Sequence, residues 1–316
     1  MKKLSLTGAP ACRAALPNLS ERGERTVLRV AVFSFAGIRT GQPGDYAADL
    51  AALIKALQPD LAVLPGHSSF LLCGAAGRLE GAADFAGHFR LFTRQAGAWN
   101  ELYLSRHREL AWENKIYLAA GTTVEQAGGR LYHTAYCFDP AGEICGRQRQ
   151  THLSREERAL GLSRGEDLAL FEIGGLKTGF IVGTDARHPE VGRILALEGA
   201  ALVIHSGAIP TGPAGRAQPA GIWAQVQQNQ FWAAEAQLKG QIGERSFGAR
   251  CAVLGPCELT PGSSGYLTPE RDDRPYAAAE LPEAERLRIK EQYPLLKLLQ
   301  PQAYRGLLPE LYREGR

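Results

Sequence analysis

The sequence predicts an α/β fold, one domain with an extension at each end. Three observations predict it. From residue 27 onward, short apolar runs rich in β-branched residues alternate with segments of helical periodicity, as strands covered by helices do. Hydrophobic residues make up 45% and charged residues 22% of the 316 positions, enough for a sizeable core. No linker splits the chain into separate units.

Residues 1–26 are polar and broken by Pro and Gly, and read as a loose arm. A strand is predicted over 27–36. Over 45–57, Tyr46, Leu50, Leu53, Ile54 and Leu57 share one helical face. Residues 60–66 read as a short buried strand and 81–113 as loop plus helix. Three strands follow at 115–125, 130–139 and 143–150, the last two joined through Pro140-Ala141-Gly142. Residues 168–183 read as a hairpin around Gly174-Gly175. Pro189 fits the first turn of a helix over 188–200. A strand is predicted at 201–206, then a Gly/Pro-rich loop at 207–221 and a helix ending near Gln230. Strands at 231–238 and 249–255 complete the domain, taken as 27–282. Residues 283–316 read as a helix and a docking tail.

The net charge of +3 gives no reason to expect nucleic acid or a charged membrane as partner. No window approaches the roughly 18 apolar residues needed to cross a bilayer. The six cysteines, Cys12, Cys73, Cys137, Cys145, Cys251 and Cys257, form no C-x-x-C pair. They read as free, mostly buried thiols in a reducing compartment, so a soluble cytoplasmic protein is expected.

Three strand ends carry polar turns that an α/β sheet would bring to one edge. They are Leu64-Pro65-Gly66-His67, Arg149-Gln150-Thr151-His152-Leu153, and Gly183-Thr184-Asp185 with Pro189-Glu190. Their order and spacing resemble the nitrilase, or carbon–nitrogen hydrolase, superfamily. The segments TAYCFDPAGEICGRQRQTHLSREER, RILALEGAALVIHSGA, QQNQFWAAEAQ and SFGARCAVLGP are similar to that family in the same order, so the likeness covers about residues 28–260. It implies a four-layer αββα sandwich of nitrilase type. It also implies a homodimer or higher homo-oligomer, with the C-terminal tail helping to dock the subunits.

In that family a cysteine thiolate attacks a nitrile or amide carbon, a glutamate carries the proton, and a lysine stabilises the developing charge. The resemblance puts these roles on Gly66, Gln150 and Gly183, none of which can perform them. Losing glutamate and lysine together leaves no lone buried charge, so the absence is tolerable electrostatically. Replacing Glu and Cys by glycine also predicts a roomier pocket.

The remaining candidates each have a structural alternative. Glu157 corresponds to a second, substrate-orienting glutamate, yet Ser154-Arg155-Glu156-Glu157 is also a capping box. Thr184 has a hydroxyl with no evident base. Asp185 serves as pocket residue or turn anchor, and His152 reads as structural. His67, His188 and His205 fall near strand ends on one side and suggest a polar-ligand or metal cluster, but no spacing matches a metal motif, so no metal and no cofactor is assigned. Trp223, Phe231 and Trp232 read as core or interface. Two functions follow. One is a pseudoenzyme that binds a small molecule in a pocket formed with His67, Glu157, Thr184, Asp185, His188 and His205, or that acts as an assembly subunit. The other is a hydrolase of C–N bonds or another enzyme with changed chemistry that uses His67, Asp185, His188 or Glu157.

Overall fold

The structure is a computed structural model and describes residues 27–36, 43–75, 84–212, 220–268 and 274–304. The predicted N-terminal arm lies outside these residues, as does the end of the predicted tail.

Two sheets pack face to face. The first has the order β13-β1-β2-β3-β4-β5: β13 (Tyr276–Pro282), β1 (Val27–Phe33), β2 (Leu61–Val63), β3 (Tyr117–Ala127), β4 (Arg130–Phe138) and β5 (Ile144–Arg149). The second has the order β12-β9-β8-β7-β6: β12 (Ala252–Leu254), β9 (Trp232–Gln237), β8 (Leu202–Gly207), β7 (Leu176–Val182) and β6 (Leu170–Ile173). Strands β1, β2 and β3 run parallel, as do β7, β8 and β9. Their C-terminal ends therefore gather at common edges, where α/β folds mount their sites.

Side-chain alternation sorts the layers. In β1, Val30 and Val32 face the second sheet and meet Phe180, Ile204 and Trp232. Ala31 and Phe33 point the other way, into a cluster with α1 (Pro43–Leu57), α2 (Ser68–Ala75), α3 (Phe85–Thr93) and α4 (Ala96–Asn114). On the far side, Ile181 and Val203 pack beneath α6 (Pro189–Leu197) and α7 (Ile222–Asn229). This is the four-layer αββα sandwich.

The structure adds four elements the sequence reading left unassigned: α2, the edge strand β13, and the hairpin of β10 (Lys239–Ile242) with β11 (Arg245–Gly248). The stretch 81–113 holds two helices, α3 and α4, the first capped by the Asp84 carboxylate accepting from the Gly87 N–H at 2.6 Å. After β13, α8 (Glu283–Gln292) folds back on its own chain. Arg286 is buried and donates to the Gln230 carbonyl at 2.8 Å. Among the described cysteines all are free; Cys137 is buried, whereas Cys145, Cys251 and Cys257 keep partial exposure. The expectation of mostly buried thiols fails for these three: Cys145 and Cys251 pack only at the margin of the inter-sheet core, and Cys257 lies beyond β12 in a 3-10 turn. No helix among the described residues is long and apolar enough to cross a membrane.

Candidate functional site

The site is built where β2, β5, β7 and β8 end. The Gly66 N–H donates to the Gly207 carbonyl at 3.0 Å and the Ser206 hydroxyl donates to the Leu64 carbonyl at 2.8 Å, tying the end of β2 to that of β8 across the two sheets. Gly121 makes this approach possible. A side chain there would stand 2.2 Å from the Pro65 carbonyl oxygen, and its φ of +81° suits glycine. The next residue after Gly66, His67, takes a left-handed backbone (φ +59°) and donates its N–H to Thr122 Oγ1 at 2.8 Å.

A side-chain network starts from that threonine. Thr122 Oγ1 lies 2.7 Å from His133 Nε2, and His133 Nδ1 lies 2.6 Å from Gln150 Oε1. An amide oxygen only accepts, so His133 Nδ1 donates to Gln150. Gln150 Nε2 shares its hydrogens among the His152 carbonyl (2.8 Å), Glu157 Oε2 (3.0 Å) and Thr184 Oγ1 (2.7 Å). The Thr184 hydroxyl in turn donates to the His152 carbonyl. The His67 ring stacks on His133 with centroids 5.2 Å apart and also meets Phe70, Phe85 and Phe247. Phe247 comes from the β10–β11 hairpin, which roofs the cluster. Arg245 of that hairpin makes a two-point ion pair with Glu156 (2.7 and 2.9 Å).

Glu157 fills both roles the sequence left open. It completes the capping box with Ser154 at the start of α5 (Arg155–Ala159) and also accepts from Gln150. Burial alone would raise its pKa, but the His133 hydrogen bond and charge, with the Ser154 N–H and hydroxyl, hold it down at about 2. Burial, with the His133 charge, pushes His67 the other way for a base, down to about 3.

The space predicted to be vacated by glycine is occupied. A Cβ on Gly183 would lie 2.8 Å from Gln150 Oε1, and one on Gly66 would lie 3.0 Å from the Gly207 backbone. Gln150 and the β8 end fill the room that absent side chains would leave. Gly183 itself has φ +52° and opens a 3-10 turn, Gly183–Arg187.

Asp185 is fully buried and anchors this turn to the end of β5. Its carboxylate accepts from the Thr151 N–H (3.0 Å), the Thr151 hydroxyl (2.9 Å), the His152 N–H (2.7 Å) and His152 Nδ1 (3.1 Å). The expected grouping of His67, His188 and His205 does not form. His205 lies on the helical face of β8 with Val203 and donates to the Ile181 carbonyl at 2.8 Å, because its odd position in the strand turns it away from the inter-sheet face. His188 stacks on His152 with centroids 3.9 Å apart. Burial and the neighbouring His152 lower the His188 pKa. Phe231 and Trp232 are wholly buried, and Trp223 donates to the Ser264 carbonyl at 2.9 Å.

Sequence reasoning missed His133, Thr122 and the hairpin roof. His133 falls mid-strand with no motif around it, and only the β4–β5 pairing brings it opposite Gln150. A cavity of about 420 Å³ lies apart from this network, walled by Ser34, Lys239, Arg250, Cys251, Arg274 and Tyr276 among others.

Two face-packed sheets with parallel strand ends, a turn at Gly183 and the anchoring carboxylate of Asp185 define a hydrolase-type αββα framework. The carbon–nitrogen hydrolase family model matches residues 48–257, and the chain belongs to that family. An omega-amidase of Danio rerio is 34% identical over 116 residues, 34% of this chain and 42% of that protein. Nitrilase homolog 2 of Dictyostelium discoideum is 30% identical over 118 residues, 34% of this chain and 36% of that protein. The matches thus span less than half the length of these curated relatives. Among solved structures, a carbon–nitrogen hydrolase from Helicobacter pylori G27 superposes with a TM-score of 0.70 at 18% identity, over 89% of this chain and 98% of that one. A mutant amidase from Nesterenkonia sp. AN1, with an acetamide moiety joined to its active-site cysteine, gives 0.65 at 20% identity over 89% and 97%. These two likenesses are of fold.

Proposed function

We propose that the chain is a non-catalytic member of its family, a pseudoenzyme that binds a small molecule or serves as an assembly subunit. The contact between Gln150 and Gly183 carries this reading. The turn that would present a thiol presents a glycine, and the amide oxygen of Gln150 stands 2.8 Å from where that residue's Cβ would be. The polar groups around it, Glu157, Thr184 and His133, are each hydrogen-bonded to Gln150. A ligand fits better in the cavity of about 420 Å³, within the usual range for small-molecule sites. Lys239, Arg250 and Arg274 on its walls favour an anionic molecule. A cytoplasmic homodimer belongs to the same proposal.

A second reading, an enzyme with changed chemistry, is favoured by the buried Glu157–His133 contact at 3.5 Å beside His67. Asp185 contributes less to it, since its oxygens are taken by Thr151 and His152. One experiment separates the readings: a panel of small aliphatic amides is incubated with the purified chain while anionic metabolites are screened by native mass spectrometry. Ligand retention without hydrolysis is expected. Hydrolysis that disappears in Glu157→Gln overturns the non-catalytic reading.

A further inference from the structure

We propose that His152, His188 and Glu190 form a binding site for a divalent transition-metal ion of the Zn²⁺ type. Their donor atoms all lie within 4.8 Å of one another. His152 Nε2 stands 3.6 Å from Glu190 Oε1, and His188 Nδ1 stands 3.8 Å from the same oxygen. Two ligands of a tetrahedral zinc ion, with bonds of about 2.0–2.1 Å, sit roughly 3.3 Å apart. Both pairs therefore need to close only slightly.

The orientation of His152 is already that of a ligand. Asp185 faces its Nδ1 at 3.1 Å, which leaves Nε2 directed at Glu190. A carboxylate behind a histidine fixes the tautomer and ring angle in this way at metal centres. The His188 ring lies stacked on His152, at 14° to it, and must turn for its lone pair to converge on the ion. That turn is cheap, because the His188 side chain is 40% exposed and makes no capping bond to α6. The same exposure gives an ion access. Asp185 and Glu190 set two negative charges against the dication, opposed by the nearby Arg164.

Three protein ligands leave a coordination position open. The site adjoins the Gln150–Gly183 cluster, since the His152 carbonyl accepts from both Gln150 and Thr184. It holds whether or not the chain is catalytic. No sequence motif announces it, because the turn after β5 supplies one histidine and the start of α6 supplies the other two ligands.

The test uses the full chain, stripped with a chelator and dialysed against Zn²⁺, with bound metal measured by mass spectrometry. One Zn²⁺ per chain is expected, with affinity at least about tenfold weaker in His188→Ala and in Glu190→Gln. His88→Ala, which changes a histidine outside the cluster, is expected to bind as the unmodified chain does. Co²⁺ in place of Zn²⁺ should give the visible absorption of a four-coordinate centre, lost in His188→Ala. No bound zinc in the unmodified chain, equal zinc in His188→Ala and Glu190→Gln, or loss in His88→Ala overturns the site. Circular dichroism of the metal-free variants checks folding, and Glu190→Gln decides if His188→Ala is unfolded.

Discussion

Gln150 Oε1 stands 2.8 Å from the point that a Cβ on Gly183 would occupy. The two residues are therefore complementary: a long amide on one strand end requires no side chain on the other. Gly183→Cys meets this contact and also puts a side chain on a left-handed backbone, which together cost about 2–3 kcal/mol. Urea unfolding should show that loss, and the variant should remain without amidase activity. In the double variant with Gln150→Ala, the two costs should not add, because the contact that makes Gly183→Cys costly is gone. Additive losses would show that the contact is not what makes position 183 intolerant.

Asp185 gives a second prediction. Its buried carboxylate gathers four donors from Thr151 and His152 and thereby joins the 183–187 turn to β5. Asp185→Ala strands those donors and should cost about 3–5 kcal/mol, measured by denaturant unfolding. Asp185→Asn keeps an acceptor and should lose less. A loss below 1 kcal/mol in the alanine variant would mean that water replaces the carboxylate without penalty.

Much of this architecture was legible in the sequence because period-2 and period-3.6 patterns persist where one face is buried. The β1 alternation, the α1 face of Tyr46, Leu50 and Ile54, and the Ser154–Glu157 capping box are of this kind. β13 was not legible: Ala277, Ala278 and Ala279 carry little pattern, and pairing with β1 makes them a strand. The same limit applies at the site. Gly66, Gln150 and Gly183 were visible as strand-end turns, whereas their replacement contacts, His133 on Gln150 and Gln150 on Gly183, arise only from register and layer packing.

Two histidines, His67 and His107, and the Glu157 carboxylate set the acid response. The folded-state pKa of His67, about 3, lies below its ordinary 6.5, so below pH 6.5 the unfolded chain binds a proton the folded one refuses. Stability falls as pH drops from 6.5 toward 3, by at most about 1.4 kcal/mol per pH unit, and partial exposure of the ring softens this. His107, lowered to about 4 by burial, acts in the same direction. Glu157, held at about 2 against an ordinary 4.5, adds stability that is full above pH 4.5 and lost as pH falls toward 2. Unfolding free energies across pH 4–7 should thus decline toward acid. His67→Asn, which tolerates the left-handed backbone and does not titrate, should flatten part of the slope. An unchanged slope would mean that His67 is protonated in the fold.

The C-terminal segment and the surface of α6 make opposite predictions for self-association. Arg286 is buried, bridging Glu283 and the Gln230 carbonyl, while Trp232 Nε1 donates to Glu283 at 3.0 Å. These bonds fasten α8 to its own subunit, so Arg286→Ala strands a carboxylate and should destabilise each chain by about 3 kcal/mol or more without first dissociating an oligomer. Ile194 and Leu197, one turn apart on α6, are 46% and 56% exposed, an apolar pair that no described residue covers. Leu197→Glu should leave monomer stability within about 0.5 kcal/mol, since the site is solvated, yet weaken a dimer that buries it. Light scattering across a dilution series checks both. Dissociation caused by Arg286→Ala at a pH where the subunits stay folded would return the docking role to the C-terminal segment, and an undiminished dimer in Leu197→Glu would remove α6 from the interface.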